Sequence, residues 1–131
     1  MIGYVMLGTS DLARARAFYD PLMELLGASV MAGYSNDKRI FYTAGAGQPM
    51  LAVGLPYDGG TAGAGNGTMV SLSAPTRAAI DAMHAKAMAG GGKDEGAPGV
   101  RGPNPNGFYA AYFRDPDGNK LCAFRVAALI R

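Results

Sequence analysis

Few side chains in this sequence could carry out chemistry unaided. Its 131 residues include one cysteine, Cys122, and one histidine, His84. A cysteine attacks as the thiolate, which needs a base or a cationic neighbour to form. Arg125 is close in sequence, but strand alternation puts it on the face opposite Cys122. His84 lies beside the apolar Met83 in a helical pattern and is expected to be a solvated helix histidine, outside any site. An inert buried thiol is therefore the expectation for Cys122. Cys with Met can hold Cu(I), but the same residues more often fill cores. Asp115 and Asp117 sit in Asp-Pro-Asp-Gly, where turn geometry accounts for both. No pair of carboxylates has a spacing that argues for acid/base catalysis. Arg101, Tyr109 and Tyr112 remain. Alternation lets only one of the two tyrosines share a given sheet face, and packing is the first reading of each.

The elements that would position these groups follow from periodicity. Ile2 to Gly8 reads as a strand, with Tyr4, Met6 and Gly8 on one face and Val5 and Leu7 on the other. Thr9-Ser10-Asp11 supplies cap oxygens for a helix whose apolar face is Leu12, Ala15, Tyr19, Leu22 and Leu26. Pro21 should kink or divide that helix, and Gly27 should end it. Short strands are expected near 28–34, 39–44 and 49–54. After a glycine-rich stretch at about 56–67 the pattern restarts. Residues 69–73 form a strand, and Thr76 caps a helix with Ile80, Met83 and Ala87 inward and Gly90-Gly91-Gly92 at its end. Strands follow at 108–114 and 119–126, with a weaker one near 93–97. The second glycine-rich stretch, Gly90 to Gly107, reads like the first as flexible connection.

Bulk composition excludes several classes. With 49% hydrophobic residues and a net charge of +2, a packed globular core is expected. Lys38-Arg39 is the longest basic run, too short to argue for nucleic acid. No stretch nears the about 20 apolar residues of a membrane span, and Ile2 to Leu7 is too short for a secretory signal. One cysteine excludes an intrachain disulfide and fits a reducing cytoplasm. The 20 glycines include no strand-turn-helix phosphate loop and no Gly-Lys-Ser/Thr.

The two halves share a register. Tyr4 precedes the cap Asp11 by seven residues, and Met69 precedes Thr76 by seven. Phe18 and Met83 correspond, as do Gly27 and Gly92. This predicts an α+β fold built from tandem βαβββ modules: module 1 at about 1–55, a linker at about 56–67 and module 2 at about 68–131. Each half alone is too small to bury its sheet.

Three segments make the sequence recognisable: Gly-Tyr-Val-Met-Leu-Gly-Thr-Ser-Asp-Leu (3–12) with Ala17-Phe18-Tyr19, the glycines at 90–92 and 96–99, and Phe-Arg-Asp-Pro-Asp-Gly-Asn-Lys (113–120). In their order and spacing the chain resembles the vicinal oxygen chelate superfamily, the glyoxalase, bleomycin-resistance and extradiol-dioxygenase group. The resemblance implies a curled, cup-like mixed sheet with the helices outside. It also implies homodimers and, in the metalloenzymes, an Fe²⁺, Mn²⁺, Zn²⁺ or Ni²⁺ ion. Such an ion is held by a histidine on a module's first strand and a carboxylate on its last, and it acts as a Lewis acid on vicinal substrate oxygens.

Here those slots hold Tyr4, Met69 and Cys122, and no Asp or Glu lies between Asp37 and Asp58 to fill the remaining one, at Ala52 or Val53. Phenol and thioether are weak partners for such cations, so no cofactor is predicted. Tyr4, Met6, Met69, Cys122 and Phe124 should face one concave space, with Tyr112 and Arg101 near where the family places substrate-covering segments. That space is either a mostly apolar pocket for a planar molecule or a packed core. Two functions follow. One is a metal-free binding protein like the bleomycin-resistance members, although a slightly basic chain suits cationic antibiotics poorly. The other is a glyoxalase-like lyase or dioxygenase-type enzyme with replaced catalytic groups.

Overall fold

The computed structural model describes residues 1–126; the last five residues assigned to module 2 lie outside the described residues. Within them the order is β1 (Tyr4–Gly8), α1 (Leu12–Glu24), β2 (Ser29–Val30), β3 (Arg39–Thr43) and β4 (Met50–Gly54), then β5 (Val70–Ser73), α2 (Arg77–Ala89), β6 (Lys93–Arg101), β7 (Phe108–Arg114) and β8 (Lys120–Arg125). The strands form two mixed four-stranded sheets of identical topology, β1-β4-β3-β2 and β5-β8-β7-β6, each with one parallel pair at one edge. The fold is α+β, and neither sheet closes on itself.

Both helices span 13 residues and begin at the expected caps, where the side chains of Asp11 and Thr76 accept from the N–H groups of Arg14 and Ala79. Pro21 does not divide α1, which runs unbroken from Leu12 to Glu24. The carbonyl deprived of a donor is that of Ala17, which is exposed and can turn to water. The second glycine-rich stretch is not simply a connection. Nine of its residues form β6, with irregular pairing at 94–96 and 96–99. As an edge strand, β6 tolerates Pro98, which falls in the irregular stretch between Gly96 and Gly99.

The helices pack on one face of each sheet. Leu7, Ile40, Tyr42, Leu51 and Val53 from the first sheet share a single core with Ala111, Phe113, Leu121 and Ala123 from the second. Val5, Val70 and Leu72 flank it, as their alternation requires. Phe18 of α1 joins the halves, its ring 5.0 Å from Tyr19 and 6.3 Å from Phe113. Gly92 makes this possible: a Cβ there would stand 2.7 Å from the carbonyl oxygens of Ala87 and Arg114 and 3.0 Å from the Phe18 ring. Residues 56–67 carry no helix or strand. They are nonetheless tied down, the Ala62 N–H donating to Ser10 Oγ at 3.0 Å.

The closing hairpin pins the modules together. Asp115 is 4% exposed. Its Oδ2 accepts from the Tyr19 hydroxyl at 2.6 Å and from Asn119 Nδ2, and its Oδ1 accepts from the N–H groups of Asp117 and Asn119. Asn119 also donates to the Gly8 carbonyl. Asp117 accepts from Thr9 Oγ1 at 2.6 Å, from the Ser10 N–H and from Arg14, so a carboxylate stands at the positive end of α1. Turn geometry thus explains only part of what these two aspartates do.

Two measurements test this arrangement. Tyr19→Phe removes one buried bond to a carboxylate and should cost about 1.5–3 kcal/mol in urea unfolding; a loss below about 0.5 kcal/mol would show that the pin is dispensable. Burial, reinforced by Asp115, holds the Tyr19 phenol well above its ordinary range, and burial with Asp20 does the same to Tyr42. A free tyrosine titrates at about pH 10, so below that pH both states keep these protons and stability is unaffected. Above it the unfolded chain releases protons that the folded chain retains, and each phenol should remove about 1.4 kcal/mol of stability per pH unit. Tyr19→Phe should make that alkaline slope shallower; an unchanged slope would contradict the assignment.

Candidate functional site

Each sheet keeps one face away from the helices. On the first, alternation places Tyr4, Met6, Phe41, Met50 and Ala52 together. The Tyr4 and Phe41 rings meet edge to face at 5.1 Å, and Tyr34 stands 5.9 Å from Phe41. Tyr4 and Met6 remain about half exposed, at 53% and 45%, while Phe41 and Ala52 on the same face are buried.

On the second sheet, Cys122 pairs across to Tyr112 on one side and Ser71 on the other. Phe124 pairs with Ala110 and stacks on Phe108 at 5.6 Å. The register settles which tyrosine shares this face: it is Tyr112. Tyr109 points to the helix side, donating to Asp81 of α2 at 2.5 Å beneath the Arg77 guanidinium. Arg101 belongs to β6 and reaches Tyr112, its guanidinium 5.5 Å from the ring centre. Lys120, a residue to which the sequence reading assigned no role, brings its ammonium within 5.8 Å of the same ring. Its alternation with Cys122 and Phe124 along β8 was the available signal.

Cys122 is 1% exposed. Burial raises its pKa, against the opposing influence of the Ser71 and Tyr112 hydroxyls and of Arg101 and Lys120. Burial likewise raises the Tyr112 pKa. A neutral thiol beside a neutral phenol is no nucleophile–base pair at neutral pH. His84 is not solvated as expected: its Nε2 lies 3.0 Å from Asp94 Oδ1, and its side chain is only 15% exposed. The pair joins α2 to β6 on the helix side of the sheet, away from Cys122.

The metal slots can now be compared in register. The spacing that carries Asp11 to Thr76 carries Tyr4 to Met69 and Met6 to Ser71. Met6 pairs with Ala52 and Ser71 with Cys122, so Ala52 is the counterpart of Cys122. The four positions are Tyr4, Ala52, Met69 and Cys122. Among the described residues, no three His, Cys, Asp or Glu side chains come together to hold a metal ion.

The structure brings Arg101, Tyr112, Cys122 and Phe124 onto one face and Tyr4 and Met6 onto another. Among the described residues, no hydrogen-bond ladder or ring contact joins the two groups within the chain. Met69 lines an apolar cleft of about 510 Å³ with Ile2, Val5, Leu26 and Leu72. A second cleft of about 490 Å³, under the linker, is lined by Lys38, Arg39, Ser10 and Tyr57. No described helix is long and apolar enough to cross a membrane.

The fold recurs in known proteins. A family model described as the Glyoxalase/Bleomycin resistance protein/Dioxygenase superfamily matches residues 1–123. A glyoxalase/bleomycin resistance protein from Albidiferax ferrireducens T118 is 38% identical with a TM-score of 0.81, covering 95% of this chain and 97% of its own. A putative glyoxalase from Bacillus halodurans (21% identity, TM-score 0.73, 95% and 94% covered) and a lactoylglutathione lyase from Agrobacterium tumefaciens (23%, 0.60, 99% and 96%) share the fold. No protein of curated function matches.

Cys122 offers a direct test of how tightly the second face is packed. With 1% of the residue exposed, Cys122→Leu should overpack the strand pair and lower stability by about 1–3 kcal/mol. An unchanged thermal midpoint would reveal unfilled space beside the thiol.

Proposed function

Because the chain belongs to the glyoxalase/bleomycin resistance protein/dioxygenase superfamily, we propose that it binds a small molecule on the open faces of its sheets without a divalent metal. The observation that carries this reading is the set of side chains at Tyr4, Ala52, Met69 and Cys122. A phenol, a methyl group, a thioether and a buried thiol of raised pKa do not fit Fe²⁺, Mn²⁺, Zn²⁺ or Ni²⁺. Without such a cation nothing on these faces supplies the Lewis acid that stabilises an enolate. The half-exposed rings and thioethers left there suit a planar molecule instead. The alternative, a glyoxalase-like lyase or dioxygenase-type enzyme with replaced catalytic groups, needs a base. Neither Tyr112 nor Cys122 qualifies at neutral pH, since the pKa of each is raised.

A second copy of the chain completes the cup in this reading. β1 and β5 each stand at the edge of their sheet with one side unpaired, and such edges are covered in stable proteins. Exposed Ile2, Tyr4, Met6 and Met69 lie on or next to these two strands. A two-fold pair joining them would bring Tyr4 and Met6 of one subunit opposite the Arg101–Tyr112 face of the other. Cys122, buried and unpaired, suits a reducing cytoplasm.

Metal analysis after dialysis of protein purified without a metal-affinity tag should find far less than one equivalent of zinc, nickel or iron. Lactoylglutathione lyase activity should be absent even with metal added. One bound equivalent, or activity restored by metal, would overturn the metal-free reading. Sedimentation should give a dimer at micromolar concentration, and a monomer throughout would remove the shared cup.

A further inference from the structure

On the open face of the second sheet, Arg101 and Lys120 form no ion pair among the described residues. Arg101 donates from Nη1 to the Gly99 carbonyl at 2.9 Å and from Nη2 to the Ala97 carbonyl at 2.7 Å. These bonds hold the guanidinium flat along its own strand and leave its charge intact, since both acceptors are neutral. The strand is shaped for it. A Cβ at Gly96 would lie 3.1 Å from Arg101 Nη2 and 3.1 Å from the Tyr112 ring, and a Cβ at Gly99 would lie 3.2 Å from Arg101 Nη1. Two glycines thus clear a slot in β6 that the guanidinium occupies. Three of its five N–H groups remain uncommitted.

Lys120 adds a second cation at the Tyr112 ring. Glu95, the carboxylate that feels Lys120, is engaged by Arg114 at 2.6 Å. It also feels Lys93, so this end of the face stays cationic overall. On the same face lie Phe108, which pairs with Arg101, and Phe124, whose ring stacks on it. A fixed cation and an aromatic floor on one sheet face make a recognisable set.

Resting on the small-molecule reading above, we propose that the ligand is an aromatic carboxylate. Arg101 binds its carboxylate through the free N–H groups, Lys120 adds charge, and the ring lies toward Phe124 and Phe108. The planar guanidinium fork matches a carboxylate geometrically, which a lysine alone would not. Specificity then comes from the cost of leaving those cations facing a neutral group.

The test compares benzoate with benzamide, which share ring and shape and differ in charge, by chemical-shift titration of the full chain. Benzoate should shift amides of β6, β7 and β8 and bind about tenfold more tightly than benzamide, with the preference shrinking as salt is added. Arg101→Gln should abolish the preference for benzoate over benzamide. Lys120→Gln touches none of the bonds that hold Arg101; it should reduce the preference severalfold and decides the matter if the arginine variant fails to fold. Equal affinity for the two probes on this face would overturn the anion assignment and leave the small-molecule reading standing. Benzoate shifts confined to the cleft of Lys38 and Arg39 would overturn it too. If neither probe shifts any open-face amide, both readings fall.

Discussion

Four hydrogen bonds converge on the Asp115 carboxylate in a nearly dry position, one of them from a tyrosine on the helix of the other module. A buried carboxylate is tolerable only when its lone pairs are filled. The closing turn, the Asn119 side chain and the Tyr19 hydroxyl are therefore fixed together or not at all. Asp117, two residues on, meets the N-terminus of the same helix. Through these two groups the second sheet is set at one position against the first. Among the described residues no strand pairing performs that task, so the orientation of both open faces rests on the hairpin together with the shared core around Phe18.

The asymmetry of this device is informative. The two modules match in strand order, helix length and cap position, yet the turn between the last two strands of the first module, near Ala44 to Pro49, contains no carboxylate. One hairpin serves as the clamp for both halves. Its counterpart in the first module has no inter-module carboxylate to offer, and the outer edge of β1 stays available for another chain.

Much of this was legible in the sequence. Strand alternation identified the faces of β1 and β8, the cap residues located both helices, and the restart after Gly67 gave the duplication. What escaped was whatever depends on distant partners. Asp115 and Asp117 satisfy a turn locally, and nothing in their spacing says that a tyrosine and a helix end lie within reach. Gly96 and Gly99 look like loop residues until a guanidinium is seen filling the space their missing side chains leave. His84 looked solvent-facing because its partner, Asp94, sits on a strand hidden among glycines. Pro21 does not divide its helix: Ala17, whose carbonyl loses its donor, is exposed and can bond water instead.

The clamp also imposes an order of events on a chain being made. Tyr19 and Asp115 are 96 residues apart, and Phe18 likewise waits for Phe113. At ribosomal rates of about 5–20 residues per second, roughly 5–20 s separate the emergence of α1 from that of its partners. During that interval the helix has its own sheet to pack on, but the faces of Phe18 and Tyr19 meant for the second half are bare. Contacts so far apart in sequence are the last that a growing polypeptide can form. The nascent first half is thus the stage at which this protein presents the most unsatisfied apolar surface to the cell's holdases.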